Sequence, residues 1–409
     1  MIRLLSKNIL IYGGINALKS LIPLLMLPIL TAYLSIHDFG ILSLVETSIL
    51  FITPFILLNI NAAISVEYFK LEHNLLRKYI TNALAISFIS FIIMLLFFLV
   101  FKNIFALLLH VNNYLVVLMV IFSFFRVVSS VVLGLYQSRK ESVKFGIYTI
   151  SQTIMDFILS YVLVVIYKLG YIGRLEGVYI SFFIFSVIGV FLLYQMNYLS
   201  KITFIYTKEI LNFGLPLIPH AVSGTIIAMS DRYFISYFIN NEQVGIYVIA
   251  YQISALMLLV STSVNQAWSP MLYKLLKEKK IKDVNKFTFY LFLFFFLVAI
   301  SVYFLKDILF YIFVDEKFYI AKEYFSWLLI GFLFQSFYFL VTNLLFFEKR
   351  TKLLASVTIS GATINLVLNY FLIKLFGTIG VAYATAIIWG LFFVAILLLN
   401  IYIVRKKYI

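Results

Sequence analysis

Apolar runs of about 20 residues or more recur twelve times along the chain, and a helix of that length just crosses a ~30 Å hydrocarbon core. They fall near residues 9–34, 40–64, 79–101, 113–137, 145–169, 176–196, 213–238, 243–266, 286–308, 323–347, 354–376 and 380–403. Lipid offers the backbone no hydrogen-bond partners, so each run must satisfy its own N–H and C=O groups, which a helix does. The alternating ten-residue segments of a transmembrane barrel are absent. An all-α membrane protein with about twelve transmembrane helices is therefore expected. Composition agrees: 12% of the residues are charged, half of the roughly 25% that a water-facing domain carries. The first run is too long for a signal-peptide core and has no small-residue cleavage site after it, so it is read as the first span.

Twelve spans put both termini on one side, and alternate loops should then differ in lysine and arginine. Loops on the side of the termini carry 22 such residues, from Arg3 and Lys7 through to Arg405, Lys406 and Lys407. The other side carries seven: Lys102, Lys168, Arg174, Lys306, Lys317, Lys322 and Lys374. This bias places both termini in the cytoplasm, and a miscounted span would scramble it. The net charge of +15 is thus spread over short loops, not gathered as a nucleic-acid patch. The longest cytoplasmic connection, about Pro270 to Asn285, reads as a basic linker beside anionic headgroups. With no cysteine, and with His37, His73, His110 and His220 scattered, neither a thiolate site nor a metal or cofactor site is expected.

The halves echo each other at an offset of 204 to 210 residues. Tyr33-Leu34 before Gly40-Ile41 resembles Tyr237-Phe238 before Gly245-Ile246, and Arg139-Lys140 matches Lys349-Arg350. Asp156 to Tyr161 aligns with Asn365 to Tyr370. The stretch from Lys168 through Gly170, Gly173 and Tyr179 resembles that from Lys374 through Gly377, Gly380 and Tyr383. Six helices per half is an even number, so the repeats are parallel. Two pseudo-symmetric six-helix lobes, 1–200 and 201–409, facing a central cavity are expected. Four of the six prolines fall in corresponding spans, Pro23 and Pro28 in the first and Pro216 and Pro219 in the seventh. Proline interrupts a helix, and matched interruptions point to a binding or gating site.

Three cations remain at membrane depth: Lys19, Arg126 and Arg232. Charge near the bilayer centre costs about 2.5 to 3.5 kcal/mol, so each needs a reason. One reading lines a watery cavity with them to attract a phosphate-bearing substrate, since guanidinium grips phosphate oxygens bidentately and lysine acts as a point charge. The other pairs them internally, Arg126 with Asp156 and Arg232 with Asp231 or Glu46, with Arg232 also near enough to the outer end of its span to snorkel. Glu46, Asp156 and Asp231 are the carboxylates at depth. Span eight adds Gln252, Ser254, Ser263, Asn265 and Gln266. No Walker loop is present, Asp38-Phe39-Gly40 lies in a tight loop without kinase partners, and no nucleophile set converges. An enzyme is not expected.

Several of these stretches resemble the polysaccharide flippases of the multidrug/oligosaccharidyl-lipid/polysaccharide (MOP) exporter superfamily. They are Leu21-Ile22-Pro23 through to Gly40-Ile41, Asn212-Phe213-Gly214-Leu215-Pro216-Leu217-Ile218-Pro219, Asp231-Arg232-Tyr233-Phe234-Ile235, Val244-Gly245-Ile246-Tyr247 and Asn365 through to Ala386. The resemblance implies a MATE/MOP-like fold and a Wzx-type flippase for undecaprenyl-diphosphate-linked O-antigen or capsule repeat units in a bacterial inner membrane. It further implies alternating access biased by a proton or sodium gradient, with Glu46, Asp156 and Asp231 as coupling candidates and Lys19, Arg126 and Arg232 as substrate contacts. Membrane lipids, a glycan polymerase and a chain-length regulator are the partners it suggests. The alternative within the superfamily is a cation-coupled multidrug exporter, which would favour acidic cavity residues over this cationic set.

Overall fold

Each expected span after the first is one helix or two in tandem. The computed structural model describes residue 22 and residues 24–408. Helix α1 (Leu24–Tyr33) is the described part of the first span. There follow α2 (Ile36–Leu57) with α3 (Ile60–Glu67), α4 (His73–Leu109), α5 (Asn113–Ser138), α6 (Ser142–Tyr161) with a π turn at Val162–Ile166, and α7 (Gly170–Gln195). The second half runs through α8 (Thr207–Gly214), a 3₁₀ turn, α9 (Ile218–Phe238), α10 (Asn241–Ser254), α11 (Leu256–Lys277) and α12 (Ile281–Phe304). It closes with short α13 (Lys306–Phe313), α14 (Lys322–Phe347), α15 (Thr351–Phe376) and α16 (Thr378–Tyr408). Eleven of these helices or tandems, besides α1, are long and apolar enough to cross a membrane. The described residues contain no strand.

Helices outrun the hydropathy where the chain leaves lipid. The connection expected over Pro270 to Asn285 shrinks to three residues, because α11 continues to Lys277 and α12 starts at Ile281. Water tolerates lysines on a helix, and the intrahelical ladder is worth keeping past the hydrocarbon boundary. Lys279 turns the corner with a φ of 56°.

The chain clusters into two compact units, Met1–Thr225 and Ile226–Ile409. In the first, α5 packs against α2, α4 and α7, and α6 lies along α7. In the second, α14 packs against α10, α11, α12 and α16, and α15 lies along α16. Apolar surface gains nothing by leaving lipid for protein, so close packing and interhelical hydrogen bonds carry the association. The internal repeat reappears in these details. Ser35 caps α2 by accepting from the Asp38 N–H at 3.0 Å, and Asn240 caps α10 by accepting from Gln243 at 2.8 Å. Gly170 and Gly377 take φ of 60° and 68° at the corners before α7 and α16, a backbone region that costs a side chain dearly. Three residues on, Gly173 and Gly380 press against the carbonyls of Leu163 and Leu372 on the preceding helix.

Span two is broken. Leu58 and Asn59 both adopt left-handed backbone between α2 and α3, four residues after Pro54 inside α2. The freed carbonyls of Phe55 and Ile56 accept from the Ser90 and Ser87 hydroxyls at 2.7 and 2.6 Å. A break at membrane depth persists only with such replacements.

Candidate functional site

In the first unit, charge gathers around one tyrosine. Tyr179 on α7 is 2% exposed, stacks on Phe122 of α5 and lies in the fields of Arg126, Glu46, Arg174 and Asp156. The four charges come from α5, α2, α7 and α6. Arg174 and Asp156 form a tight pair: Arg174 Nη1 donates to Asp156 Oδ1 at 2.6 Å and to Ser160 Oγ at 2.7 Å, while Ser160 donates to Asp156 at 3.0 Å. Their side chains are 11% and 20% exposed. Arg126 is different. Its guanidinium lies 4.8 Å over the Phe182 ring, and its buried Nε has no acceptor among the described residues. The Tyr179 hydroxyl, Arg174 Nε, Gln152 Nε2 and Thr149 Oγ1 are likewise buried without a partner there. Buried polar groups are nearly always satisfied, so each of these calls for an ordered water or another polar partner.

In the second unit, the charges are sealed together. Asp231 and Arg232, neighbours on α9, are each 5% exposed. Asp231 Oδ1 accepts from the Arg232 backbone N–H at 2.8 Å and from its Nη1 at 3.1 Å. Tyr251 places its ring 4.7 Å from the guanidinium, and Tyr247 links Asp231 to Thr385, 3.3 Å from its hydroxyl. Immediately before Asp231, Ser230 donates to Asn365 Oδ1 at 3.0 Å, and Asn369 donates to the same oxygen at 3.2 Å.

These positions revise several expectations. Asp156 pairs with Arg174 and not with Arg126. Hydropathy begins span six at residue 176 and so leaves Arg174 in a loop, whereas α7 starts at Gly170 and takes it in half-buried. Arg232 does not snorkel but packs inside its unit. Glu46 is half-buried on α2. Lys19 and Pro23 lie outside the described residues. Pro28 sits within α1, where its carbonyl accepts from Thr31 at 3.2 Å. Pro216 lies in the 3₁₀ turn Leu215–Leu217, and Pro219 is the second residue of α9. Both stand where the span passes from α8 through the 3₁₀ turn into α9. Besides Pro28, prolines lie inside helices at Pro54 of α2 and Pro270 of α11, also in corresponding spans, two and eight. In span eight, Asn265 accepts from Asn343 at 2.7 Å and Ser254 donates to the Phe325 carbonyl at 3.1 Å. Gln252, Ser263 and Gln266 are exposed. His37 and His110, far apart in sequence, line one hollow of about 440 Å³ with Asp38 and Tyr171. Its walls come from the start of α2, the end of α4 with the turn after it, and the start of α7, which the charge bias puts on one side.

Comparison with known proteins places this geometry. A family model described as polysaccharide biosynthesis protein matches residues 5–276, and the MatE model matches residues 216–371. A protein of the Lsg locus of Haemophilus influenzae is 23% identical over 376 residues, covering 88% of each chain. An inward-facing multidrug-resistance MATE family transporter of the MOP superfamily superposes with a TM-score of 0.77 at 13% identity, over 96% of this chain and 95% of that one. An outward-facing structure of such a transporter gives 0.61 at 13% identity, over 98% and 96%. These structures share the twelve-helix fold. The chain thus belongs to the polysaccharide biosynthesis protein family, in the MOP superfamily of multi-pass membrane transporters.

Proposed function

We propose that the protein is a flippase that moves an undecaprenyl-diphosphate-linked oligosaccharide, the repeat unit of an O-antigen or capsule, across a bacterial inner membrane by alternating access. Both termini lie in the cytoplasm, as the loop charges require. The observation that carries the reading is Arg126: a guanidinium held against Phe182, with a buried donor that no described residue satisfies. Such a group grips phosphate oxygens bidentately, and the diphosphate brings the charge that offsets it. Lys19 adds a second cation from span one. Arg232 is already neutralised by Asp231 and serves the fold of its unit more than the substrate. A proton or sodium ion couples transport through the carboxylates around Tyr179, Glu46 and Asp156, whose protonation shifts the field that Arg126 offers. A glycan polymerase and a chain-length regulator receive the product.

Deleting the gene is expected to accumulate a lipid-linked repeat unit on the cytoplasmic face. Arg126→Ala should reproduce this at unchanged protein level, with surface glycan reduced at least about tenfold, the cost of one charge-assisted contact. Persistent surface glycan with intracellular build-up of cationic dyes would instead identify a multidrug exporter.

A further inference from the structure

At the cytoplasmic end of the second unit, four helices enclose a half-open groove of about 230 Å³. Leu276 comes from α11, Val284 and Thr288 from α12, Leu344 from α14, and Leu397 and Ile401 from α16. The α12 residues recur at helical spacing, 281, 284, 285 and 288, so one face of that helix forms a wall. The interior is mostly apolar, with Asn285, Thr288 and Asn400 as polar points, and Asn400 donates to the Val341 carbonyl at 2.6 Å.

The rim is strongly basic. From Lys274 to Lys286 there are six lysines against two carboxylates, Glu278 and Asp283, and Arg405, Lys406 and Lys407 follow groove residue Val404 in sequence. Lys280 is spoken for, 2.7 Å from Glu278. Lys274, Lys277, Lys282 and Lys286 are exposed, and none has a carboxylate within ion-pair distance among the described residues. Lys282 and Lys286 stand one turn apart on α12, each next in sequence to a groove residue, Ile281 and Asn285. Loop lysines alone need only diffuse attraction to headgroups to orient the chain. Lysines bordering an apolar slot offer more, because basic pockets between transmembrane helices on the cytoplasmic side hold anionic headgroups.

We infer that the groove binds one anionic phospholipid of the inner leaflet, an acyl chain against α12, α14 and α16 and the phosphate against Lys282 and Lys286. This inference is independent of the transported substrate. It is tested on the purified full-length protein in detergent, titrated with dioleoyl phosphatidylglycerol or dioleoyl phosphatidylcholine while thermal melting is recorded. Phosphatidylglycerol should raise the melting temperature saturably and phosphatidylcholine should not. Lys282→Gln with Lys286→Gln should weaken that effect roughly tenfold to thirtyfold, the worth of two lysines at an anionic surface. Thr288→Trp, which fills the slot, should abolish the difference between the lipids while keeping the melting temperature in phosphatidylcholine. Equal shifts with both lipids would overturn the site. So would a phosphatidylglycerol effect that survives Thr288→Trp, since it would mean diffuse attraction only. A shift with a prenyl phosphate but not with phosphatidylglycerol would give the groove to a carrier lipid and overturn the assignment too.

Discussion

The polar interiors of the two units solve the same problem in opposite ways. Asp156 of α6 corresponds to Asn365 of α15, and Ser160 to Asn369. In the first unit this pair of positions holds Arg174 in a part-exposed ion pair. In the second it holds Ser230 through neutral amides, and the buried charge sits instead on adjacent residues of one helix. Charges on neighbouring residues neutralise each other whatever the other helices do. Charges spread over four helices feel any movement among those helices. The second unit is built as a closed body, while the first keeps its charges responsive and holds an arginine whose buried Nε has no acceptor among the described residues.

The comparison breaks most visibly at Asp231. Asp231→Asn strands the buried Arg232 charge, and removing one member of a buried pair costs about 3–5 kcal/mol. A large fall in melting temperature and in folded yield is expected, with much of it restored when Arg232→Met is added. A single variant that melts like the wild type would show that the second unit is not clamped by its ion pair. Next comes the helix contact shared by both units. A Cβ on Gly380 would meet the Leu372 carbonyl oxygen at 2.0 Å, whereas one on Gly173 would meet the Leu163 oxygen at 2.9 Å. Gly380→Ala should therefore cost about 3 kcal/mol and Gly173→Ala about 1 kcal/mol, the two ends of the overpacking range. Equal melting temperatures would erase that asymmetry.

The helices were legible because lipid imposes a length and an apolar content on every span. The repeat was legible in glycines, because glycine takes positive φ at no steric cost and leaves room for a close carbonyl. Partnering was not. Arg174 drags down any hydropathy window that contains it, so reading spans from apolarity ejects it. Only the position of α6 shows that Asp156 neutralises it. The break at Leu58–Asn59 carries no glycine, and its supports, Ser87 and Ser90, lie about 30 residues away on α4. Matched prolines pointed to spans one and seven, and Pro216 falls in the 3₁₀ turn between α8 and α9. Proline counts a break without saying where in the helix it falls.

Replacing Asp156 with Asn gives the first unit the solution used by the second. Arg174 then loses a counter-charge but keeps Ser160 and an amide oxygen, and partial exposure lets water share the load. A cost of about 1 kcal/mol is expected, well below that of Asp231→Asn. A loss as large as that at Asp231 would make the first unit's pair structural after all, and the contrast between the units would fall.

The smallest effect on stability is predicted where the effect on transport is largest. Arg126→Met keeps an unbranched apolar stem against Phe182 and removes a guanidinium whose buried Nε has no acceptor among the described residues. Deleting such a group relieves a desolvation cost, which offsets the cation–π contact of about 0.5–2 kcal/mol that is lost with it. The melting temperature should then move by no more than about 1 kcal/mol of stability in either direction, while export of the lipid-linked glycan fails. Arg126→Lys sharpens the point, since it restores the charge without the bidentate fork. Partial export with lysine and none with methionine, at equal protein levels, would locate the role of Arg126 in gripping an anion. If methionine unfolded the protein, Arg126 would belong with Arg232 as part of the scaffold, and the two units would differ only in where they hide their charges.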